Sequence, residues 1–92
     1  MARAPISVVI PTLNAESALA PCLGALGEGL NAGLIREVII TDGGSTDGTI
    51  ELADQAGAMV VKGDASRGGQ LRRGCEAAHG AWLLIVHADS WL

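Results

Sequence analysis

Asp42 stands at the end of an apolar run in "EVIITDGGSTDGT" (37–49), followed by two glycines and a Ser-Thr-Asp cluster. A carboxylate where a buried strand surfaces accepts hydrogen bonds, for example from a nucleobase imide N–H or a ribose hydroxyl. Gly43 and Gly44 allow φ > 0 and the close approach of a flat ring. Ser45, Thr46 and Asp47 are N-cap types for a helix that follows. Asp42 is therefore expected to touch ligand, and Ser45 and Asp47 to cap. A second acid, Asp89, closes "LLIVHADS" with His87 two positions before it. A carboxylate there suits a hard divalent cation on a phosphate, because Mg²⁺ and Mn²⁺ bind through one or two carboxylates and complete the shell with phosphate and water. Four of the six basic residues, Lys62, Arg67, Arg72 and Arg73, fall within twelve positions. They form either an anion-binding cluster or a solvated helix face.

These groups need elements to place them. Four continuous apolar runs, "ISVVI" (6–10), "EVIIT" (37–41), "AMVV" (58–61) and "WLLIVHA" (82–88), predict strands covered on both faces. Helical spacing predicts helices over 16–26 (Leu19, Cys22, Leu23, Leu26), 47–56 (Ile50, Ala53, Ala56) and 69–79 (Leu71, Cys75, Ala78). Gly57 and Gly80 stand as stop signals after the last two. Pro21 is expected in a first turn or at a reset helix start. The connection "GEGLNAGLIR" (27–36) is the one loose region. Strand and helix alternating with short connections predict an open α/β sheet of about four parallel strands with three helices and right-handed crossovers. The fourth strand has no helix after it to cover it. The expectation is one domain over 1–92 that forms the front half of a larger fold, with a second segment or an oligomer covering that strand.

Composition narrows the function classes. A chain of this size buries roughly 60–65% of its unfolded surface. It is 49% hydrophobic with two Trp and no Phe or Tyr, which argues against aromatic stacking platforms for single-stranded nucleic acid. The net charge of −4 gives no whole-molecule attraction for nucleic acid or anionic lipid. Cys22 and Cys75 show no metal-ligand spacing and read as free thiols in a reducing, cytoplasmic setting. The apolar run 6–10, stopped by Pro11, is too short for a signal sequence or a membrane span.

In an open α/β sheet, ligands sit beyond the carboxyl ends of the strands. Those ends read "PTLNAE", "DGGSTDG", "KGDASRGG" and "HADS", and polar or charged residues collect at each. Loops are polar in general, but that does not favour one edge. No P-loop is present, and the first turn lacks the G-x-G-x-x-G that seats a pyrophosphate on a helix N-terminus. "DGGSTDG" follows a strand and lacks the EF-hand acids. A bound nucleotide would have its diphosphate held by metal and by Arg67, Arg72 or Arg73.

"ISVVIPTLNAE", "EVIITDGGSTDGT", "SRGGQLRRGCEAAHG" and "LLIVHADSWL", in this order, resemble the N-terminal half of a family 2 glycosyltransferase of the GT-A fold. The resemblance extends over nearly the whole chain and is greatest to bacterial members with a "DGGSTDGT" turn and an HADT or HADS form of the D-x-D motif. It implies a Rossmann-like GT-A half-domain, a nucleotide-diphospho-sugar donor (UDP-linked favoured), Mg²⁺ or Mn²⁺, and transfer with inversion. It also implies residue roles. Pro11, Thr12 and Leu13 would border the nucleoside, with Asn14 and Glu16 near it. Asp42 and Gly43 would meet the base. Arg67 and Gln70 would lie on the nucleotide–sugar side, His87 would replace the first acid of D-x-D, and Asp89 would be its surviving metal ligand. The family's Asn-Glu pair is split here by Ala15, and its general base belongs to the second half of the fold, beyond Leu92. The rival expectations are a non-catalytic nucleotide-binding module, a nucleotidyltransferase and a receiver-like module. "PTLNAE" lacks the Gly and Lys that a nucleotidyltransferase places there, and a receiver-like module would lack the D-x-D-like strand end.

Overall fold

The computed structural model describes residues 5–64, 66–80 and 82–86. In chain order the elements are β1 (Ile6–Thr12), α1 (Glu16–Asn31), β2 (Ile35–Asp42), α2 (Thr49–Gln55), β3 (Met59–Lys62), α3 (Arg67–Ala77) and β4 (Trp82–Ile85). The four strands form one parallel sheet in the order β3-β2-β1-β4. The chain thus winds outward from β1 through β2 to β3, then returns to the other side of β1. Parallel crossovers are right-handed almost without exception, so α1 and α2 share one face of the sheet and α3 covers the other. This is the α/β architecture the sequence predicts.

Residues alternate between faces along each strand. Val8 and Ile10 of β1 and Val38 and Ile40 of β2 make one face and pack with Leu19 of α1 and Ala53 of α2. Each of these buried Val, Ile and Leu side chains stabilises the fold by about 1.5–3 kcal/mol. Thr12 and Asp42, paired across the register, continue these two rows past the apolar core. On the other face α3 lies flat on the sheet. A Cβ added at Gly74 would collide with Val9 Cγ1 and press on Thr41 Cγ2, so glycine allows the helix this close.

The region 27–36 is not a loose connection. Helix α1 continues through it to Asn31, and β2 begins at Ile35. The stop signal is Gly33, at φ +77, whose amide donates to Leu30 O while that of Leu34 reaches back to Gly29 O. That is the paired C-terminal arrangement of a helix ending on a left-handed residue. Gly57, at φ +80, closes α2 in the same way. Pro21 is inside α1 rather than in its first turn, on an exposed face. Helix α2 is shorter than expected because Asp47 accepts the Thr49 amide ahead of the helix. Helix α3 starts earlier, with Ser66 as N-cap accepting from Gly69 N at 3.3 Å. It ends at Ala77 because Ala78 is already extended, two residues before Gly80. Strand β4 is described as far as Ile85, and its Trp82, Leu83, Leu84 and Ile85 are 70%, 48%, 46% and 39% exposed. No helix among the described residues is long and apolar enough to cross a membrane.

The amino edge of the sheet has one polar cluster. Glu37 Oε2 accepts from Ser7 Oγ at 2.7 Å and from His79 N at 2.6 Å, and Gly80 N donates to Ser7 Oγ at 2.8 Å. Burial pushes the Glu37 carboxyl up, but the bonds from Ser7 and His79 outweigh it and hold the carboxyl below its ordinary value. The cluster ties the α3–β4 connection to the starts of β1 and β2.

Candidate functional site at the carboxyl edge of the sheet

The strand order reverses between β1 and β4, and in open α/β sheets the crevice at such a reversal is where ligands bind. The turns after β1 and β2 meet at this edge and are locked together. Asp42 is wholly buried at their centre. Its Oδ1 accepts from Thr12 Oγ1 at 2.8 Å and Ser45 Oγ at 2.6 Å, and its Oδ2 from Gly44 N at 2.9 Å and Ser45 N at 2.7 Å. Four donors fill the roughly four lone-pair sites of a carboxylate. Burial alone raises the Asp42 carboxyl, yet the bonds from Ser45, Thr12 and Gly44 win and leave it below its ordinary value. Asp42 was expected to meet a base directly; in this geometry its acceptors are spent on shaping the turn. Gly44, at φ +101, lets the chain fold back over the carboxylate.

Asn14 and Glu16 carry the lock across to the other loop. Asn14 sits at φ 50, a left-handed conformation that Asn tolerates better than most residues. Its amide donates to Ser45 Oγ at 2.8 Å, and its Oδ1 accepts from Thr46 N at 2.7 Å. Glu16 Oε1 accepts from Gly48 N at 2.9 Å, while Glu16 N donates to Asp47 Oδ2 at 3.3 Å. Ala15 N donates to Thr49 Oγ1 at 3.0 Å, and that hydroxyl donates in turn to Asp47 Oδ1. Bonds from Thr49 hold the Asp47 carboxyl below its ordinary value. One acid therefore serves the first turns of both α1 and α2. Nothing in the sequence but residue type marked Ser45 and Thr49 as hubs of this network.

Gln70 is buried on the α3 face, where its amide bonds to the backbones of both strand ends and to Ser66. Gly43 is also buried, and its amide donates to Thr12 O at 2.9 Å. What the edge presents outward is Leu13, 50% exposed, beside Pro11. At the end of β3, Lys62 and Asp64 are exposed, and Arg73 Nη2 donates to Asp64 O at 2.9 Å. Arg72 points away to solvent beside Glu76, 3.9 Å distant, so the expected basic cluster divides: Arg72 is a solvated face. Arg67 opens α3, which places its backbone at this edge. His87 and Asp89 lie outside the described residues. Val86 N, just past the end of β4, donates to Val9 O at 3.0 Å. Among the described residues no three His, Cys, Asp or Glu side chains come together as a metal site.

The family model for glycosyl transferase family 2 matches residues 7–92. The chain belongs to that family. A "PGL/p-HBAD biosynthesis glycosyltransferase" from Mycobacterium bovis is 32% identical over the whole chain, which covers 38% of that protein. Glucosyl-3-phosphoglycerate synthase from Mycolicibacterium smegmatis is 34% identical over 91% of the chain and 30% of its own length. The crystal structure of glucosyl-3-phosphoglycerate synthase from Mycobacterium tuberculosis, in complex with Mn²⁺, UDP and glucosyl-3-phosphoglycerate, superposes with a TM-score of 0.82. It is 30% identical, with 91% of this chain and 33% of that one covered. Mannosyl-3-phosphoglycerate synthase from Rubrobacter xylanophilus superposes at 0.84 with 26% identity over 94% of the chain and 31% of its own. The glycosyl transferase family 2 chain described here thus has the GT-A fold of these relatives and spans about a third of their length.

Proposed function

We propose that this chain forms the nucleotide-sugar-binding part of an inverting family 2 glycosyltransferase, with a UDP-sugar as the favoured donor and Mg²⁺ or Mn²⁺ as cofactor. The observation that carries this reading is the rigid platform at the carboxyl edge, where the β1 and β2 turns are fixed to one another beside the reversal in strand order. The UDP and Mn²⁺ bound by the mycobacterial relative support it.

Pro11, Thr12 and Leu13 would border the nucleoside, with Leu13 offering an apolar surface to the base. Asp42, Asn14 and Glu16 would act one step back, by holding the Gly43–Ser45 backbone where a base can meet it. Arg67 would stand on the diphosphate side, helped by the positive end of α3. Asp89 would be the metal ligand, with His87 beside it. The cation, when bound, would neutralise charge growing on the departing diphosphate. In the transfer itself the acceptor oxygen bonds to the anomeric carbon and the bond from that carbon to the diphosphate breaks. The electron pair leaves with the diphosphate, and the acceptor proton goes to a base on the opposite face of the sugar. No described residue is proposed for that base, which we assign to protein outside these residues. Further polypeptide, either another segment or a second copy, would also cover the exposed apolar residues of β4. Two free, half-buried thiols, Cys22 and Cys75, fit a cytoplasmic location.

Calorimetric titration of UDP and UDP-glucose, with and without Mn²⁺, tests the reading. Binding that requires the cation is expected. Absence of binding to every nucleoside diphosphate would remove it, whereas binding with no UDP release in the presence of acceptors would favour a non-catalytic nucleotide module.

A further inference from the structure

Gln70 is 6% exposed and all three of its hydrogen bonds go to backbone. Its Nε2 donates to Thr12 O at 2.9 Å and to Thr41 O at 3.0 Å. Its Oε1 accepts from Ser66 N at 3.2 Å. Thr12 is the last residue of β1, Thr41 the penultimate residue of β2, and Ser66 the N-cap of α3. One amide thus spans two strands at the point where their ladder stops and ties both to the start of the third helix. From this arrangement we infer that Gln70 is a positioning residue: a brace that sets the gap between the β1 and β2 ends and couples it to the first turn of α3. The inference rests on the reading that a nucleoside diphosphate binds at this edge.

Three features separate a brace from an ordinary buried amide. Asp42 and Thr12 join the same two strand ends through side chains on the α1–α2 face, so Gln70 completes a clamp from the α3 face. Thr12 O accepts a second bond, from Gly43 N, which places the turn proposed to meet the base on the same carbonyl that Gln70 holds. The two arms of the amide are also chemically distinct. The donor arm grips the strands, and the acceptor arm grips the helix start with its Arg67. A shift of α3 therefore moves the nucleoside gap and the diphosphate side together.

The test compares the parent chain with Gln70→Leu and Gln70→Glu, titrating UDP with Mn²⁺ at pH 5.5 and pH 8 and recording thermal unfolding alongside. Gln70→Leu removes both arms and is expected to weaken UDP binding about tenfold, the loss of roughly one net hydrogen bond's worth of positioning. Gln70→Glu keeps the acceptor arm. At pH 8 its carboxylate would face two carbonyl oxygens, and binding is expected to fall at least about tenfold. Between those carbonyls the introduced carboxyl has a raised pKa. At pH 5.5 it is neutral, donates one hydrogen bond, and binding recovers to within about threefold of the parent at that pH. The other charged groups at this end, Asp42, Lys62, Asp64, Arg67 and Arg73, are the same in both proteins, so comparison at each pH cancels them.

A purely structural amide would lower the unfolding temperature of both variants and leave their UDP affinities and pH profiles parallel to the parent; that result overturns the proposal. Should Gln70→Glu fail to fold at pH 8, the affinity of Gln70→Leu decides. Should the parent bind no UDP, the functional reading fails instead, and amide hydrogen exchange judges the brace. Faster exchange at Gly43 and Ser66 in Gln70→Leu would uphold it, and unchanged exchange would overturn it.

Discussion

Replacing Asp42 with Asn keeps the shape of the side chain and removes its charge, which isolates the physics of the central turn. The best available arrangement turns the Asn Oδ1 toward the Gly44 and Ser45 amides and its NH₂ toward the Thr12 and Ser45 hydroxyls. Those hydroxyls now donate to Asp42 and would have to accept instead, although Ser45 Oγ already accepts from Asn14 N. Changing two amide bonds from a charged to a neutral acceptor costs about 1 kcal/mol each, and the reversed hydroxyls add about 1 kcal/mol. The expected loss is about 2–3 kcal/mol at pH 7, a large share of the stability of roughly 0.05–0.15 kcal/mol per residue that small domains have. Urea unfolding reads this directly: with a slope near 1 kcal/mol/M, the midpoint falls by about 2–3 M.

The same variant should change the pH dependence. The folded Asp42 carboxyl lies below its ordinary value of 3.8, so the unfolded chain takes up its proton first as pH falls. Its stabilisation is complete above the unfolded value, about pH 5 and higher, and is lost as pH drops through 3.8 toward the folded value. Glu37 and Asp47 are held low as well and act in the same direction in both proteins. The parent should therefore lose stability more steeply than Asp42→Asn below pH 5, and the two curves should converge in acid. An Asn variant with an unchanged midpoint at pH 7, or with an acid slope equal to the parent's, would refute the assignment of Asp42 as the organiser of the turn.

Further outcomes are expected at Asp89, Asn14, Gly74 and Gly24. Asp89→Ala should abolish the Mn²⁺-dependent part of UDP binding in calorimetry, and parent-like affinity would remove Asp89 as the metal ligand. Asn14→Ala should destabilise by about 1–2 kcal/mol, because Ala resists the left-handed conformation and has no acceptor for Thr46 N; Asn14→Gly keeps the conformation and should cost less in the same denaturation assay. Gly74→Ala forces a methyl into Val9 and should cost about 1–3 kcal/mol. Gly24→Ala, where nothing lies within 4 Å, should stabilise α1 by about 0.5–1 kcal/mol; thermal unfolding of the pair checks both signs.

The order of elements and the sheet were legible because they depend on patterns that survive in one dimension: continuous β-branched runs and apolar stripes at helical spacing. The error in α1 has a definite cause. The expected helix 16–26 already held Gly24 and stopped before the Gly27–Gly29 stretch, yet a helix tolerates glycine at about 1 kcal/mol each when its other face is packed. Gly27 and Gly29 are half-buried, and Gly29 lies so close to Ile35 that a Cβ would meet its Cδ1 at 2.5 Å. The true stop, Asn31-Ala32-Gly33, contained the one glycine of this 24–33 stretch whose backbone needs a left-handed residue.

At the carboxyl edge, sequence listed Asp42, Asn14 and Glu16 as ligand contacts, and the structure shows each of them bonded to the neighbouring loop. A polar residue at a strand end has two ways to satisfy itself, a ligand or the neighbouring loop, and residue type alone does not choose between them. Asp42 followed at short range by Gly44 and Ser45 was already a local acceptor facing two backbone donors, the pattern by which acidic residues shape their own turns. Thr12 faces it across the register, which only the parallel pairing of β1 with β2 reveals. The consequence bears on how such a site works. When the acids, amides and hydroxyls of two loops are consumed by one another, the geometry of the outward backbone is fixed before any ligand arrives. Little of the binding energy is then diverted to ordering loops, a cost that flexible sites meet on every encounter. Among the described residues few side chains at this edge remain uncommitted, so under the proposed function selectivity would depend on the position of Gly43 and Leu13 more than on any single one of the bonded polar groups.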